Sequence, residues 1–222
     1  METIAERIRD FHRANAAEWR QVEASGAAER SAAFYEGSQH YVYDLLSGNT
    51  SPAAVVEKLN QFDPLLLQSI QRHPGRNFLE FGGGLGVVCE IVARMGKQVH
   101  YLDIPGLVSR FAVWRFERLG LNIPFLCAQP DRIEIPGTYD VVFTDAVLEH
   151  LPPPLQLDAA RALGAAVATD GLLIFLVDLS GPDEDFPMHH HVDIRALHGA
   201  LEASGLRCES GRETFCSRWR RG

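Results

Sequence analysis

The sequence lacks any apolar run that approaches the length of a membrane-spanning helix, which needs about 20 consecutive apolar residues. Its first residues, Met1 to Arg7, are charged and lack the apolar segment of a secretory signal peptide. Cysteine is scarce as well, with 4 in 222 residues, dispersed and without a Cys-x-x-Cys pair, which favours free thiols. From these absences we expect a cytoplasmic protein that does not enter a membrane.

Basic residues are fewer than acidic ones. The chain has 21 Lys and Arg residues against 29 Asp and Glu residues, and its one short basic run is the tail from Arg218 to Arg221. The formal net charge is −8. Because an acidic protein repels the phosphate backbone of nucleic acids, we expect a small-molecule partner and no nucleic acid.

A glycine-rich stretch is the most informative part of the sequence. An apolar run, Phe78 to Phe81, enters four glycines within the five positions 82–86, and an apolar helical pattern follows. This order predicts a strand, a glycine turn and a helix. Glycine permits positive φ and lets a ligand lie against the main chain, while the N–H groups at the helix start favour a negative or polar ligand group. We therefore predict a ligand site at this turn.

A second predicted strand, Val99 to Leu102, ends in Asp103 about twenty residues after the glycine turn. A carboxylate at that position suits a ribose, because it can accept hydrogen bonds from both hydroxyls. The alternative is that Asp103 only starts the turn Ile104-Pro105-Gly106. Together, the turn and the acid predict a nucleoside-cofactor site at the carboxyl edge of a parallel sheet.

The glycine spacing discriminates between cofactors. A dinucleotide fingerprint would need a third small residue where Val87 or Cys89 stands, so an NAD-dependent oxidoreductase is disfavoured. The pattern present is an acid followed by alternating glycines, namely Glu80, Gly82, Gly84 and Gly86. It resembles the cofactor motif of the class I S-adenosylmethionine-dependent methyltransferases.

This resemblance extends over residues 76–210. It includes a predicted fourth strand, Tyr139 to Asp145, and the segment Val147-Leu148-Glu149-His150-Leu151-Pro152 that follows. It implies an α/β fold, with a doubly wound, mostly parallel Rossmann-like sheet that carries helices on both faces. We expect an N-terminal helical cap or lid over residues 1–75 and the methyltransferase domain over residues 76–222.

The resemblance also implies which residues bind S-adenosylmethionine. The glycines would lie against its amino-acid part, Glu80 would orient the loop or the amino group, and Asp103 would hold the ribose hydroxyls. The adenine amine would meet Gln129 or Asp131, both of which carry an acceptor oxygen. Thr144 closes the fourth strand at the ligand edge of the sheet. The predicted cofactor-binding residues are Glu80, Gly82, Gly84, Gly86, Asp103, Gln129, Asp131 and Thr144.

The first 75 residues are predicted to be mostly helical. Apolar residues recur near helical spacing over 2–23, a second helical stretch covers 30–47, and Ser51-Pro52 and Asp63-Pro64 are typical helix starts. In related small-molecule enzymes, such a segment forms one wall of the substrate pocket and can be shared in a homodimer. That resemblance implies substrate binding by Tyr35, Tyr41 and Tyr43, which could instead anchor the helices to the core.

Two groups of histidines are candidates for acid–base chemistry. His150 follows the fourth strand and is either a general base or part of the following helix start. The run His189-His190-His191 lies in an acidic loop, 179–191, of the kind that often carries function. We predict catalytic roles for His150, His190 and His191 and substrate binding by His189. The alternative is a solvated loop that caps the next helix through Asp193.

The same histidines raise the question of a metal. His189 and His191 would point the same way in an extended chain, and a nearby carboxylate from Asp178, Asp183 or Asp185 could complete a divalent-ion site. No helical His-x-x-x-His pair supports such a site, so we predict no metal.

The implied function is methyl transfer from S-adenosylmethionine to a small metabolite by in-line displacement. Such a reaction mainly needs positioning, and a general base helps only when the acceptor is a hydroxyl. The acceptor atom therefore stays open between oxygen, nitrogen, carbon and sulfur. Two other readings stay open, namely different S-adenosylmethionine chemistry on this fold and a non-catalytic partner protein. The intact glycine turn and Asp103 argue against the latter.

Overall fold

The computed structural model describes residues 4–24, 31–49, 51–129 and 131–222. This part of the chain begins with helices α1 (Ile4–Ala24), α2 (Ser31–Gly37), α3 (Gln39–Gly48), α4 (Pro52–Phe62) and α5 (Leu66–Arg72). The predicted helices also included residues 2, 3 and 30, which lie outside the described residues. Within those residues, no helix has the combination of length and apolar character that a bilayer crossing requires.

Side-chain caps decide where the early helices start. The predicted helix over 30–47 is two helices, because the Ser38 hydroxyl accepts a hydrogen bond from the Tyr41 N–H and starts α3. Ser51 caps α4 in the same way, as predicted. Asp63 does not cap α5: its carboxylate accepts from the Leu65 N–H, so the helix begins only at Leu66.

The remaining elements form an alternating α/β unit. They are β1 (Asn77–Phe81), α6 (Val87–Arg94), β2 (Gln98–Asp103), α7 (Leu107–Arg118), β3 (Phe125–Cys127), β4 (Tyr139–Thr144), a 3₁₀ turn (Leu148–His150), α8 (Pro153–Ala166), β5 (Val167–Leu176), α9 (Ile194–Ala203), β6 (Leu206–Ser210) and β7 (Cys216–Arg221). The strand order is β3-β2-β1-β4-β5-β7-β6, with β7 antiparallel to β5 and β6. The direction in which successive strands are added to the sheet reverses between β1 and β4, and sheets of this kind bind ligands at that point. The predicted fold class is confirmed.

Helices cover both faces of the sheet. The side chains of β5 alternate between two apolar cores, with Leu172 and Ile174 in one and Leu173 and Phe175 in the other. One core packs against α6 and α7, and the opposite core packs against α8 and α9. The near-continuous apolar sequence of β5 therefore reflects burial on both faces.

The N-terminal helices divide between the main core and a separate cluster. Apolar side chains of α4 and α5, Val55, Leu59 and Ile70 among them, belong to the same core as α6 and α7. Trp19 of α1 and Phe34 of α2 instead pack in a small cluster with Met188 from the loop after β5. The boundary between cap and domain at residues 75 and 76 stays a prediction.

Positive φ angles shape the turn between β1 and α6. Gly82, Gly84 and Gly86 have φ of 68°, 52° and 70°. Gly86 is constrained further, because a Cβ atom there would lie 2.4 Å from the Phe116 ring. Glycine is thus required at this position both by backbone conformation and by the approach of α7.

We predict that Gly86→Ala destabilises the protein more than Gly96→Ala. Gly96 also has positive φ, of 86°, but a Cβ atom there would meet no other atom within 4 Å, so its substitution costs only about 1–2 kcal/mol of backbone strain. Contact with Phe116 should add about 1–3 kcal/mol to the loss in Gly86→Ala. Urea unfolding of both variants measures the difference, and equal losses would show that α7 yields to the added methyl group.

Candidate active site

A cavity of about 400 Å³ lies at the carboxyl edge of the sheet, beneath helices α2, α3 and α4. The predicted site residues that line it are Glu80, Gly82, Gly84, Asp103, Gln129, Tyr35, Tyr41, His150 and His189. The predicted site residues outside its lining are Gly86, Asp131, Thr144, Tyr43, His190 and His191. The fold therefore brings the glycine turn, the strand-end acid and two of the tyrosines into one space.

Asp103 is held by three hydrogen bonds from the protein. Its Oδ2 accepts from the Gly84 N–H at 2.8 Å and from the Tyr101 hydroxyl at 3.1 Å, and its Oδ1 accepts from the Ile104 N–H at 2.8 Å. Burial raises the pKa of this carboxyl to about 6, although these donors oppose the shift. A carboxylate offers about four acceptor positions, so Oδ1 retains capacity for a ligand hydroxyl.

Glu80 tethers the glycine turn to the helix that follows. It is 5% exposed, and its Oε2 accepts a hydrogen bond from the Cys89 N–H in the first turn of α6 at 2.9 Å. Burial raises the pKa of Glu80 to about 8. The loop-orienting role predicted from the sequence fits this contact, and Glu80 also reaches the cavity lining.

Of the two residues predicted to meet the adenine amine, Gln129 lies in the cavity lining and Asp131 does not. Gln129 lines the cavity beside Ala128, whereas Asp131 is exposed and outside the lining. Residue 130 between them lies outside the described residues. Of the two candidates left open by the sequence, Gln129 is the one near the cavity.

Gly86 and Thr144 lie outside the lining and support the site. Gly86 starts α6 against the Phe116 ring, as described above. Thr144 is fully buried in the sheet, where it pairs with Phe81 and Phe175, and its hydroxyl has no hydrogen-bond partner among the described residues. Asp145, the first residue after β4, reaches the cavity at the carboxyl edge of the sheet, whereas Thr144 is still within the strand and does not.

The tyrosines predicted to line the substrate wall separate into two groups. Tyr35 and Tyr41 line the cavity with ring centroids 5.0 Å apart. Tyr43 lies two residues further along α3, on a different face of the helix. It is 52% exposed and stacks on Phe11 of α1 at 5.6 Å, so its predicted place in the pocket is corrected.

A tyrosine–histidine pair joins the cap to the end of β4. The Tyr35 hydroxyl lies 2.6 Å from His150 Nδ1, and the two residues are 115 positions apart in sequence. Burial raises the pKa of Tyr35 well above its ordinary value, with smaller contributions from Tyr41 and Glu149. Burial also lowers the pKa of His150, helped by the nearby His189 and His190. Both groups are therefore neutral at pH 7, and in the tautomer of His150 that carries its proton on Nε2 the hydroxyl donates to Nδ1.

Only one residue of the histidine run reaches the cavity. His189 is 8% exposed, and its ring centroid lies 4.6 Å from that of His150. His190 lies outside the lining, and its backbone N–H donates to the Glu149 carbonyl at 2.7 Å. His191 is exposed and packs beside Gly181. The structure therefore places His190 and His191 outside the cavity lining, because this segment is an irregular loop in which the side chains do not alternate as they do in a strand.

Across the described ranges, no group of three or more His, Cys, Asp or Glu residues has an arrangement that could hold a metal ion.

Sequence reasoning missed several charged residues of the site. Lys58 of α4 forms an ion pair with Asp145 at 3.3 Å, and both line the cavity. Asp44 of α3 also lines it, held by His12 at 2.9 Å and by Asn15 at 2.9 Å. Their partners are distant in sequence, so no local motif could have linked them.

Glu149 was also missed, although the sequence resemblance included it. It lies in the 3₁₀ turn after Ala146, a non-glycine residue with φ of 54° that lines the cavity. Glu149 is completely buried, and burial raises the pKa of its carboxyl to about 8. The left-handed residue turns the chain so that both Glu149 and His150 line the cavity.

Comparison with known proteins places the chain in a family. The model of a family described as "Methyltransferase domain" matches residues 57–221. A ubiquinone biosynthesis O-methyltransferase from Burkholderia thailandensis is 30% identical over 116 residues, which make up 50% of this chain and 50% of that protein. The chain thus spans about half the length of the curated relatives it matches.

Solved structures share the fold. Magnesium protoporphyrin IX methyltransferase from Synechocystis, with bound S-adenosylmethionine, has a TM-score of 0.58 and 18% identity, covering 100% of this chain and 99% of that one. An S-adenosylmethionine-dependent methyltransferase from Clostridium acetobutylicum has a TM-score of 0.59 and 12% identity, and the match covers 77% of this chain and 97% of that one. Since the family match covers most of the chain, this protein belongs to the methyltransferase-domain family of class I S-adenosylmethionine-dependent methyltransferases, as its sequence predicted.

Proposed function

We propose that this protein transfers a methyl group from S-adenosylmethionine to a hydroxyl oxygen of a small, uncharged acceptor. The observation that carries the proposal is one cavity that contains both the Asp103 and glycine-turn arrangement and the neutral Tyr35–His150 pair. The first suits the cofactor of the family. The second suits an acceptor whose proton must be removed during transfer.

The residues present fit S-adenosylmethionine. Asp103 Oδ1 has acceptor capacity for a ribose hydroxyl, and Gln129 lies where the adenine amine is expected. The Lys58–Asp145 ion pair offers one charge of each sign beside the glycine turn, which matches the carboxylate and ammonium of the amino-acid end. When bound, the cofactor supplies an electrophilic methyl carbon on a sulfonium sulfur that keeps the electrons of the broken bond.

The Tyr35–His150 pair handles the proton of the acceptor. The Tyr35 oxygen accepts a hydrogen bond from the acceptor hydroxyl while its own hydrogen is donated to His150 Nδ1. As the oxygen–methyl bond forms, the acceptor proton passes to Tyr35 and the Tyr35 proton passes to His150, which becomes the imidazolium. Because the pKa of His150 is lowered by burial, this proton is released readily once products leave.

The cap helices exclude water from the reacting groups. Tyr35 and Tyr41 lie over His150, with ring centroids 5.1 and 6.1 Å from it. Phe186 and Met188 from the loop after β5 complete the lining next to them. An enclosed apolar site strengthens hydrogen bonds to the acceptor and holds it in position for displacement.

The relatives support a small-molecule acceptor. The curated relatives are named O-methyltransferases of ubiquinone biosynthesis, and one structural neighbour is named a magnesium protoporphyrin IX methyltransferase. The four cysteines of this chain are free thiols, which supports a cytoplasmic location.

We expect S-adenosylhomocysteine to stabilise the protein and Asp103→Asn to weaken that effect. Ligand at about a hundred times its dissociation constant should add about 2.7 kcal/mol to the free energy of unfolding. Loss of the charged acceptor should cost about 1–3 kcal/mol of binding. Since the pKa of Asp103 is about 6, protonation should also weaken wild-type binding as pH falls below 6. Thermal unfolding with and without ligand measures both effects.

Two controls accompany this measurement. NAD should produce no shift, and Asp131→Asn should bind S-adenosylhomocysteine like the wild type, because Asp131 is exposed and outside the cavity. Unchanged affinity in a folded Asp103→Asn variant would remove this carboxylate from the cofactor site. No shift with S-adenosylhomocysteine in the wild type would contradict the proposed function itself.

We expect Tyr35→Phe and His150→Asn to lower kcat while S-adenosylhomocysteine still binds. General-base assistance contributes about 10²–10⁴-fold, so losses of this order are expected for a hydroxyl acceptor. Because burial lowers the pKa of His150, this base stays neutral at and above about pH 6.5, and the acid limb of the kcat profile, where the base becomes protonated, should lie below that pH. The assay is transfer of labelled methyl groups from S-adenosylmethionine to a panel of hydroxyl-bearing aromatic compounds.

Tyr43→Phe is the matched control for this assay. It removes a tyrosine hydroxyl from the neighbouring helix α3, at an exposed position outside the cavity, so turnover should be unchanged. Full activity in Tyr35→Phe would exclude the proton path described above.

A further inference from the structure

Tyr101 of β2 is a fully buried tyrosine that lies outside the cavity lining but reaches the glycine turn. Its hydroxyl oxygen lies 2.8 Å from the Gly84 carbonyl oxygen and 3.1 Å from Asp103 Oδ2. The Gly84 N–H donates to the same Asp103 oxygen at 2.8 Å. The three groups form a closed triangle, so one hydroxyl contacts both the turn after β1 and the acid at the end of β2.

Strand geometry and ring packing hold the Tyr101 hydroxyl in this triangle. Residues 101 and 103 point to the same face of β2, because side chains alternate along a strand. The Tyr101 ring packs against Phe116 of α7 and Phe125 of β3, with ring centroids 5.6 Å from each. A Cβ atom on Gly83 would lie 2.6 Å from this ring, so the ring lies directly against the glycine turn. The hydroxyl therefore has little freedom to leave its two partners.

The hydroxyl has one hydrogen and two acceptors, and the charge of Asp103 decides between them. An ionised Asp103 is the stronger acceptor, because the hydrogen bond is then charge-assisted. A protonated Asp103 leaves the Gly84 carbonyl as the better acceptor. A donor that prefers the ionised form stabilises it, so Tyr101 opposes the rise in the pKa of Asp103 that burial causes.

We propose that Tyr101 is a positioning residue for the cofactor, whose hydroxyl holds the glycine turn and keeps Asp103 in the ionised form that binds the ribose. This inference rests on the proposed contact between Asp103 and the cofactor. Tyr101 acts through Gly84 and Asp103, since its own side chain does not line the cavity. Phenylalanine would fill the same space in the core, so packing alone does not account for the hydroxyl.

Other ionisable groups face Asp103 from the elements around it. They are Glu80 of β1, Tyr41 of α3, Cys89 of α6 and Cys127 of β3. Burial raises the pKa of Glu80 to about 8, so this group also titrates near neutral pH. Because all four are present in the wild type and in the variants below, the difference between their pH profiles reports on Tyr101 and Asp103.

Tyr101→Phe tests the inference, because it keeps the ring and removes the hydroxyl. Titration calorimetry measures the affinity for S-adenosylhomocysteine between pH 5 and pH 8. At pH 8 we expect a loss of about threefold to tenfold, because the turn loses one hydrogen bond. The midpoint of the acid limb, near pH 6 in the wild type, should rise by about one pH unit, because the carboxylate loses a donor. An unchanged midpoint in the folded variant would overturn the inference, since a merely structural defect lowers affinity equally at every pH.

Tyr139→Phe is the matched control. Tyr139 is also a buried tyrosine, 5% exposed, but its hydroxyl donates to the Pro136 carbonyl at 2.6 Å and it lies outside the cavity lining. Both the affinity and the midpoint should match those of the wild type. The same shift in both variants would overturn the specific role of Tyr101.

The Asp103→Asn background shows whether Tyr101 acts through Asp103. Asparagine does not titrate, so adding Tyr101→Phe to this variant should not move the acid limb. A shift as large as that in the wild-type background would overturn the proposed route. Failure of the proposed function looks different, because the wild type itself would then not bind S-adenosylhomocysteine. Normal wild-type binding with an unchanged midpoint in Tyr101→Phe would contradict only this inference.

A measurement on the unchanged side chain covers the case in which Tyr101→Phe does not fold. The chain has five tyrosines, which can be labelled with ¹³C at the ring carbon that carries the hydroxyl and followed by NMR. One signal should titrate near pH 6 as the hydroxyl changes its acceptor, and this titration should disappear in Asp103→Asn. The absence of such a signal in the wild type, or its persistence in Asp103→Asn, would overturn the inference.

Discussion

The hydrogen bond from the Gly84 N–H to Asp103 is the contact on which the rest of the site depends. It ties the turn after β1 to the end of β2 at 2.8 Å, and the Tyr101 hydroxyl lies within hydrogen-bond distance of both partners, 2.8 Å from the Gly84 carbonyl and 3.1 Å from the Asp103 carboxylate. Gly84 can point its N–H this way only because its φ is positive. The same contact turns the carboxylate oxygens toward the cavity and fixes the path into α6.

Burial then divides the cavity into two chemical environments. Near the glycine turn, Asp103, Asp145 and Lys58 supply charges that suit a charged cofactor. Around His150, the side chains of Tyr35, Glu149 and His150 itself are neutral because burial has moved their pKa values away from the charged forms. A neutral environment provides no counter-charge for an anionic acceptor. One cavity can therefore hold a cationic cofactor beside a neutral acceptor.

Much of the cofactor half could be predicted from sequence, because its residues follow directly from local chain geometry. The spacing of glycines after a short apolar strand requires a tight turn, and Asp103 comes at the end of the next strand. The acceptor half was predicted less well. Tyr35 and His150 were proposed separately, and their direct contact follows only from the packing of α2 against the end of β4. His190 and His191 were misplaced because sequence does not give the direction of side chains in an irregular loop.

The sequence by itself determined the fold class, the glycine turn and the strand-end acid, since these depend on interactions within a few residues or on the period of apolar side chains. Only the tertiary structure decided which residues meet in the cavity. Lys58 and Asp145 are 87 positions apart, and the pKa of Glu149 is raised by burial rather than by its neighbours in sequence. Contacts and desolvation of this kind arise from the packing of distant segments, and no local pattern encodes them.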